Sequence, residues 1–201
     1  FIKKKQTLIG FYPSTTPYLV SLPAFKNIYR CDGGVCQING AYMVGQDLYI
    51  YDGNNMYNEI PTQGILKVLR TRIRNIAGVY NNIRYRDEKY IYDDWGNRTA
   101  VLNYTGEGIL DLSVNPIVNL FASEGEQVTS STYESNYHTY LTGTLDAAGH
   151  TTSMTWDYRM GVPLSLTDNN GQVTNARYDT FGRLVKIWRP GDSEAIPTNT
   201  V

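Results

Sequence analysis

The stretch Trp156-Asp157-Tyr158-Arg159-Met160-Gly161-Val162-Pro163-Leu164-Ser165-Leu166-Thr167-Asp168-Asn169-Asn170-Gly171 decides the fold. It contains two turns, each opened by Asp and closed by Gly, around the short apolar-rich run Val162 to Thr167. Asp146-Ala147-Ala148-Gly149 lies upstream and Asp179-Thr180-Phe181-Gly182 downstream, so the aspartates stand at 146, 157, 168 and 179, always 11 residues apart. Asp157 to Gly161 is one residue longer than the D-x-x-G form of the others. In such a turn Asp accepts hydrogen bonds from backbone amides two or three residues on, and Gly supplies the positive φ that closes a hairpin through a bulge. The runs between turns, such as His150 to Trp156 and Gln172 to Tyr178, are rich in Thr, aromatic and β-branched residues. A helix is excluded, because no long segment keeps the i, i+3, i+4, i+7 spacing. The expected architecture is all-β: an antiparallel ribbon of hairpins.

Working outward, Tyr92-Asp93-Asp94-Trp95-Gly96-Asn97 repeats the turn and Tyr51-Asp52-Gly53 is a looser relative. Residues 64–74 and 79–92 read as paired strands linked near Asn75 to Gly78, with a bend at Asn81-Asn82, and Thr99 to Tyr104 as another strand. Asn115-Pro116 signals a turn. Pro13, Pro17, Pro23 and Pro61 predict shorter strands and irregular connections over the first 60 residues.

Composition agrees. The chain has 201 residues, enough for one domain or two small ones with a real core. Seventeen Tyr and 18 Gly with only 18% charged residues suit half-buried strands joined by tight turns. Lys plus Arg is 18 and Asp plus Glu is 19, which argues against nucleic acid as a partner because the cationic excess that binds phosphates is missing. No apolar stretch approaches the roughly 20 residues of a membrane span. The sequence opens on Phe1 rather than Met, and Lys3-Lys4-Lys5 precedes a run too short and polar for a secretory signal, so an internal piece of a longer chain is expected.

With Arg177-Tyr178-Asp179-Thr180-Phe181-Gly182-Arg183-Leu184-Val185-Lys186 added, the opening stretch resembles consecutive YD repeats of the Rhs family, whose most recognisable element is Y-D-x-x-G-R-L. Tyr92 to Asn97 resembles the Y-D-x-x-G-N variant, and Arg189-Pro190-Gly191-Asp192 a segment often found after such a repeat. The sequence departs from the pattern at Leu145, Trp156 and Thr167, where the family prefers Tyr before Asp. The family's self-cleavage motif near the end of the shell has no match here. On this basis residues 1–48 are an irregular β-rich segment, 49–132 degenerate YD-like hairpins, 133–192 regular repeats and 193–201 a tail or linker. The resemblance implies a wall segment of a hollow shell that encloses a toxin or effector domain in bacterial Rhs and insecticidal toxin-complex proteins; related teneurin repeats serve cell-surface adhesion. It implies a secreted or cell-surface protein whose partners are the remainder of a larger polypeptide and an enclosed toxin. The alternative is an adhesion or carbohydrate-binding module that meets a glycan or surface receptor through exposed aromatics.

The residues expected to matter are structural: Asp93, Asp146, Asp157, Asp168 and Asp179 with Gly96, Gly149, Gly161, Gly171 and Gly182, and the aromatic side chains Trp156, Tyr158, Tyr178, Phe181 and Trp188. Cys31 and Cys36 enclose Asp32-Gly33-Gly34-Val35, so they stand at a hairpin neck where a disulfide is favoured over free thiols and over half a metal site. No cofactor and no catalysis are expected. His138 and His150 lie among Thr and Tyr without a nucleophile motif, and suit no standard zinc spacing. Asp87-Glu88, Asp93-Asp94 and Glu124 with Glu126 are the acid pairs a glycosidase would need, but they read as solvated turn charges. Asp168 to Gly171 offers oxygens to calcium but lacks the rest of a binding loop. No phosphate-cradling glycine motif occurs. Asn97-Arg98-Thr99 and Asn103-Tyr104-Thr105 are glycosylation sequons.

Overall fold

The computed structural model describes residues 5–12, 21–32, 35–39, 42–54, 56–75, 82–111 and 118–201. These form sixteen strands: β1 (Lys5–Phe11), β2 (Pro23–Asp32), β3 (Val35–Cys36), β4 (Met43–Tyr51), β5 (Leu66–Asn75), β6 (Asn82–Tyr92), β7 (Arg98–Tyr104), β8 (Gly108–Asp111), β9 (Val118–Leu120), β10 (Glu126–Tyr133), β11 (Leu141–Leu145), β12 (Thr151–Asp157), β13 (Val162–Thr167), β14 (Val173–Tyr178), β15 (Leu184–Trp188) and β16 (Asn199–Thr200). The hydrogen-bonded order is β1-β2-β4-β5-β6-β7-β10-β11-β12-β13-β14-β15-β16, with β3 on β2 and the β8–β9 hairpin on β6. The protein is all-β, a meander of antiparallel strands, and the described residues contain no α-helix.

One correction concerns the N-terminal part. β2 and β4 are ten and nine residues long, not short. Pro23 is tolerated because it opens β2, where no ladder hydrogen bond has to be donated. The expectations placed on Pro13, Pro17, the link 76–78, the bend at Asn81 and the turn at Asn115-Pro116 lie outside the described residues.

The chain divides into two compact units. The first comprises residues 1–90 and 102–127, the second 91–101 and 128–201. The first unit has a core: Leu48, Tyr85 and Leu110 are buried, with Phe25, Met56, Tyr57 and Ile83 packed on them. Beside it Tyr12, Ala24 and Tyr51 form a second cluster, the two rings meeting edge-on at 5.7 Å. Cross-strand registers align these side chains, since Leu48 faces Phe25 on β2 and Arg70 on β5. The second unit is built differently. Every buried apolar residue among the described ones lies in the first unit. The second is a single layer, with polar Ser153, Thr167, Thr155 and Ser165 in register on one face and Met154 and Leu166 on the other.

Its hairpins are of two kinds. β10–β11, β12–β13 and β14–β15 each shift register just before the strand-end aromatic residue, so that Tyr133 faces Leu141, Trp156 faces Pro163 and Tyr178 faces Leu184. The hairpins β11–β12 and β13–β14 have no such bulge and end on Leu145 and Thr167. The Tyr-to-Leu spacing of the Y-D-x-x-G-R-L element is therefore a cross-strand pair closing over the turn.

Candidate functional site

Four of the five turns share one hydrogen-bond scheme, and the longer Asp157 turn varies it. The amides of Gly96, Gly149, Gly171 and Gly182 donate to the carbonyls of Asp93, Asp146, Asp168 and Asp179 at 3.0–3.1 Å, whereas Gly161, one residue further on, donates to Asp157 at 2.8 Å. All five glycines have φ between 69° and 86°. The Asp carboxylates accept amides two and four residues on, rather than two or three: Trp95 and Asn97 for Asp93, Ala148 and His150 for Asp146, Asn170 and Gln172 for Asp168, Phe181 and Arg183 for Asp179. The left-handed Gly swings the following amide back toward the carboxylate, which explains the difference. Only the longer Asp157 turn uses the second and third amides, those of Arg159 and Met160.

These bonds favour the ionised carboxylates. The His150 amide holds the Asp146 carboxyl below its ordinary range, the Arg159 side chain does so for Asp157, and the Arg183 amide for Asp179. At Asp93 desolvation pushes upward, but the Asn97 side chain and the Asn97 and Trp95 amides outweigh it and the net shift is downward.

Two acids that organise turns stand outside the 11-residue series. Asp52, at φ 58°, accepts the amides of Thr62, Gln63, Gly64 and Ile65 at 2.7–3.2 Å. Glu134, only 8% exposed, accepts those of Asn136, Tyr137 and Thr139. Both follow a strand-ending tyrosine, as do Asp93 and Asp179. Tyr51-Asp52-Gly53 had marked the first of these in the sequence, whereas Glu134 was missed, and the Tyr133-Glu134 pairing was the available signal.

The turns gather aromatic side chains. Trp95 stacks on His138 with ring centroids 3.4 Å apart and planes 5° from parallel, while the Asn97 amide donates to the His138 carbonyl at 2.5 Å. Tyr137, Tyr140 and Tyr158 meet at 5.2–6.2 Å, Tyr140 also packs on Trp156, and the Trp156 indole donates to the Leu141 carbonyl at 2.7 Å. Phe181 is 83% exposed, with the Arg183 guanidinium over its ring at 5.4 Å. Trp188 sits in β15 opposite Asn175, away from the turns.

Asp87 is no solvated turn charge: it lies in β6, fully buried, and receives the Arg70 Nε at 2.8 Å and the Ala122 amide at 2.7 Å. Arg70, 1% exposed, also donates to Asn119 and to the Leu120 carbonyl, and its guanidinium lies over Tyr85 and Phe121 at 4.9 and 4.8 Å. Gly108 passes so close that an added Cβ would lie 2.2 Å from Asp87 Oδ2. This is a buried polar tie between the β8–β9 hairpin and the sheet. Glu124 and Glu126 are exposed, Glu126 near the Tyr104 hydroxyl at 3.4 Å. His150 pairs with Asp146 at 3.0 Å on the surface. In the calcium-like turn, the Asp168 oxygen holds two amides and Asn169 Oδ1 accepts the Thr151 amide. Among the described residues no cluster of three His, Cys, Asp or Glu could hold a metal ion. Cys31 and Cys36 face each other across β2 and β3 as a disulfide, Cα atoms 4.1 Å apart. The Asn97 sequon side chain is engaged with Asp93 and His138; Asn103 lies half-buried in β7. No described helix is long and apolar enough to cross a membrane.

No family model matches the sequence, and no curated protein does. Among solved structures, the chain is similar to one in the Photorhabdus luminescens Tc holotoxin pore, at 17% identity and a TM-score of 0.49. The match covers 92% of this chain and 10% of that one, so the chain spans about a tenth of the length of that neighbour.

Proposed function

We propose that this chain is a non-catalytic scaffold: a wall segment of a YD-repeat shell, in a secreted or surface protein, whose apolar face lies against an enclosed toxin or effector polypeptide. The observation that carries it is the single-layered second unit. Met154 and Leu166 are aligned on one face, and Leu164 stands two residues before Leu166. The same face continues through the Ala176–Ile187 pair. Leu164 and Leu166 are 37% and 42% exposed, and with Ala176 and Ile187 they line a shallow groove of about 160 Å³. A sheet stable in water normally buries such a face. Here the turns hold the ribbon open, and the face remains available to another chain. Of the paired acids, Asp87 holds Arg70 and the Ala122 amide and Asp93 holds the Trp95 and Asn97 amides, which favours a structural role for these two.

The test is site-specific photo-crosslinking in the native, full-length protein. A benzophenone side chain at Leu166 is expected to crosslink to polypeptide outside the ribbon, and one at Thr167, on the opposite face, is not. No crosslink from Leu166, or equal yields from both positions, would overturn the proposal.

A further inference from the structure

In an antiparallel ribbon alternate turns fall on opposite rims. The turns at 157–161 and 179–182 share the rim with aromatic tips, and those at 146–149 and 168–171 share the other, tipped by Ala147-Ala148 and Asn169-Asn170. The 168–171 turn is rich in oxygen donors, but nearly all of its polar groups are committed to backbone. Asp168 Oδ1 holds the amides of Asn170 and Gln172, and Asn169 Oδ1 holds the Thr151 amide. The Asn170 side chain is left over. It is exposed, and among the described residues its carboxamide makes no hydrogen bond. The next residue, Gly171, is also exposed, at φ 74°, and an added Cβ there would meet nothing within 4 Å.

We infer that Asn170 is a self-modification site, which the folded chain converts without an enzyme to a mixture of aspartate and isoaspartate. The Gly171 amide nitrogen attacks Asn170 Cγ and a new C–N bond closes a cyclic imide. The Cγ–Nδ2 bond breaks, and ammonia leaves with the proton that Gly171 gives up. Water then opens the imide. Cleavage of the new bond restores the main chain and leaves aspartate; cleavage of the old peptide bond reroutes the main chain through Cγ and leaves isoaspartate. Water has replaced ammonia, and no oxidant or reductant is required. Glycine favours the attack because no side chain crowds its nitrogen. The Gly171 amide donates to the Asp168 carbonyl at 3.0 Å, so each event waits for a local opening of the turn. Such an opening is within reach, since only three residue pairs join β13 to β14 behind it. The other four turns place Trp95, Ala148, Met160 and Phe181 before Gly, and none of these has a carboxamide. The sequence holds one more Asn-Gly pair, Asn39-Gly40, but the Asn39 carboxamide donates to Gln37 at 3.3 Å and its carbonyl accepts the Tyr42 amide. Isoaspartate at position 170 adds a main-chain carbon inside a turn tied to Asp168 by three hydrogen bonds, and a carboxylate where a neutral amide stood. The strands it joins carry Leu164, Leu166 and Ala176 of the apolar groove, so the modification loosens that face as the protein ages.

The test is incubation of the native, full-length protein in mildly alkaline buffer made with heavy-oxygen water, followed by peptide mapping. Heavy oxygen and an aspartate–isoaspartate mixture are expected at position 170 while Asn39 keeps its amide. In urea-unfolded protein the two sites should react together, because only the shared dipeptide then governs them. Asn170→Gln should abolish the conversion, its longer side chain closing a less favourable ring, and should melt with the parent because the backbone bonds of the turn are retained. Aged parent enriched in isoaspartate should melt below fresh protein when followed by tryptophan fluorescence. Asn39 reacting ahead of or together with Asn170 in the folded protein, conversion to aspartate alone, or aged protein that melts with the fresh would overturn the inference.

Discussion

Asp87→Ala should strongly destabilise the first unit. The carboxylate is fully buried and serves both the Arg70 Nε and the Ala122 amide. Its removal leaves a guanidinium, 1% exposed, with neutral acceptors and two ring faces but no counter-charge. Breaking one half of a buried ion pair costs about 3–5 kcal/mol, and the orphaned Ala122 amide adds to it. At an m-value of about 2 kcal/mol per molar urea, the midpoint should fall by about 2 M. Tyrosine near-UV circular dichroism is the probe, because Trp95, Trp156 and Trp188 all belong to the second unit. Replacing both partners, Arg70→Met with Asp87→Leu, should recover most of the loss, since the cost is that of an unpaired charge and not of missing attraction. Gly108→Ala alone should cost about 1–3 kcal/mol by pushing its Cβ against the same carboxylate, and less in the Asp87→Ala background. A single Asp87→Ala that loses less than about 1 kcal/mol, or a double replacement no better than the single, would refute the reasoning.

Gly182→Val should destabilise the second unit by about 1–2 kcal/mol, purely through backbone conformation: φ is 75° and an added Cβ meets nothing within 4 Å. Gly182→Asn should cost less, because Asn tolerates the left-handed region; a melting temperature unchanged in the Val variant, followed by tryptophan fluorescence, contradicts the turn geometry. Acid should also unfold the ribbon. Asp93, Asp146, Asp157 and Asp179 ionise below their ordinary range, so between the native and unfolded values the unfolded chain binds more protons and stability rises with pH. That stability is complete above the unfolded carboxylate value of about 4 and is lost as pH falls through the lowered native values. Melting temperatures measured from about pH 6 to about pH 2 should fall steeply at the acid end and less steeply in Asp146→Asn with Asp179→Asn; identical profiles count against the assignment.

The turn framework was legible because Asp and Gly do local work: each turn closes within five residues, so its requirements appear as adjacent letters. The disulfide geometry was equally local, with five positions separating Cys31 from Cys36. Asp87 was misread for the opposite reason. Its partner Arg70 is 17 positions away and Arg70's own partner Asn119 a further 49, so an acid beside Glu88 looks like surface charge until three strands are assembled. The Trp95–His138 stack likewise unites positions that no spacing rule connects. The two kinds of hairpin were present in the sequence as Tyr or Trp versus Leu or Thr before each aspartate, but they read as departures from a pattern instead of as an alternation with twice the period.

That alternation limits how such a chain can change length. Removing one 11-residue unit reverses the direction of every strand that follows, moves the downstream aromatic turns to the opposite rim and places bulges where flat hairpins belong. Removing two units returns each later residue to its former side, with the chain simply shorter. Growth and loss of the ribbon are therefore restricted to even steps: a duplication of 22 residues extends it without altering its character, whereas a duplication of 11 gives it a seam.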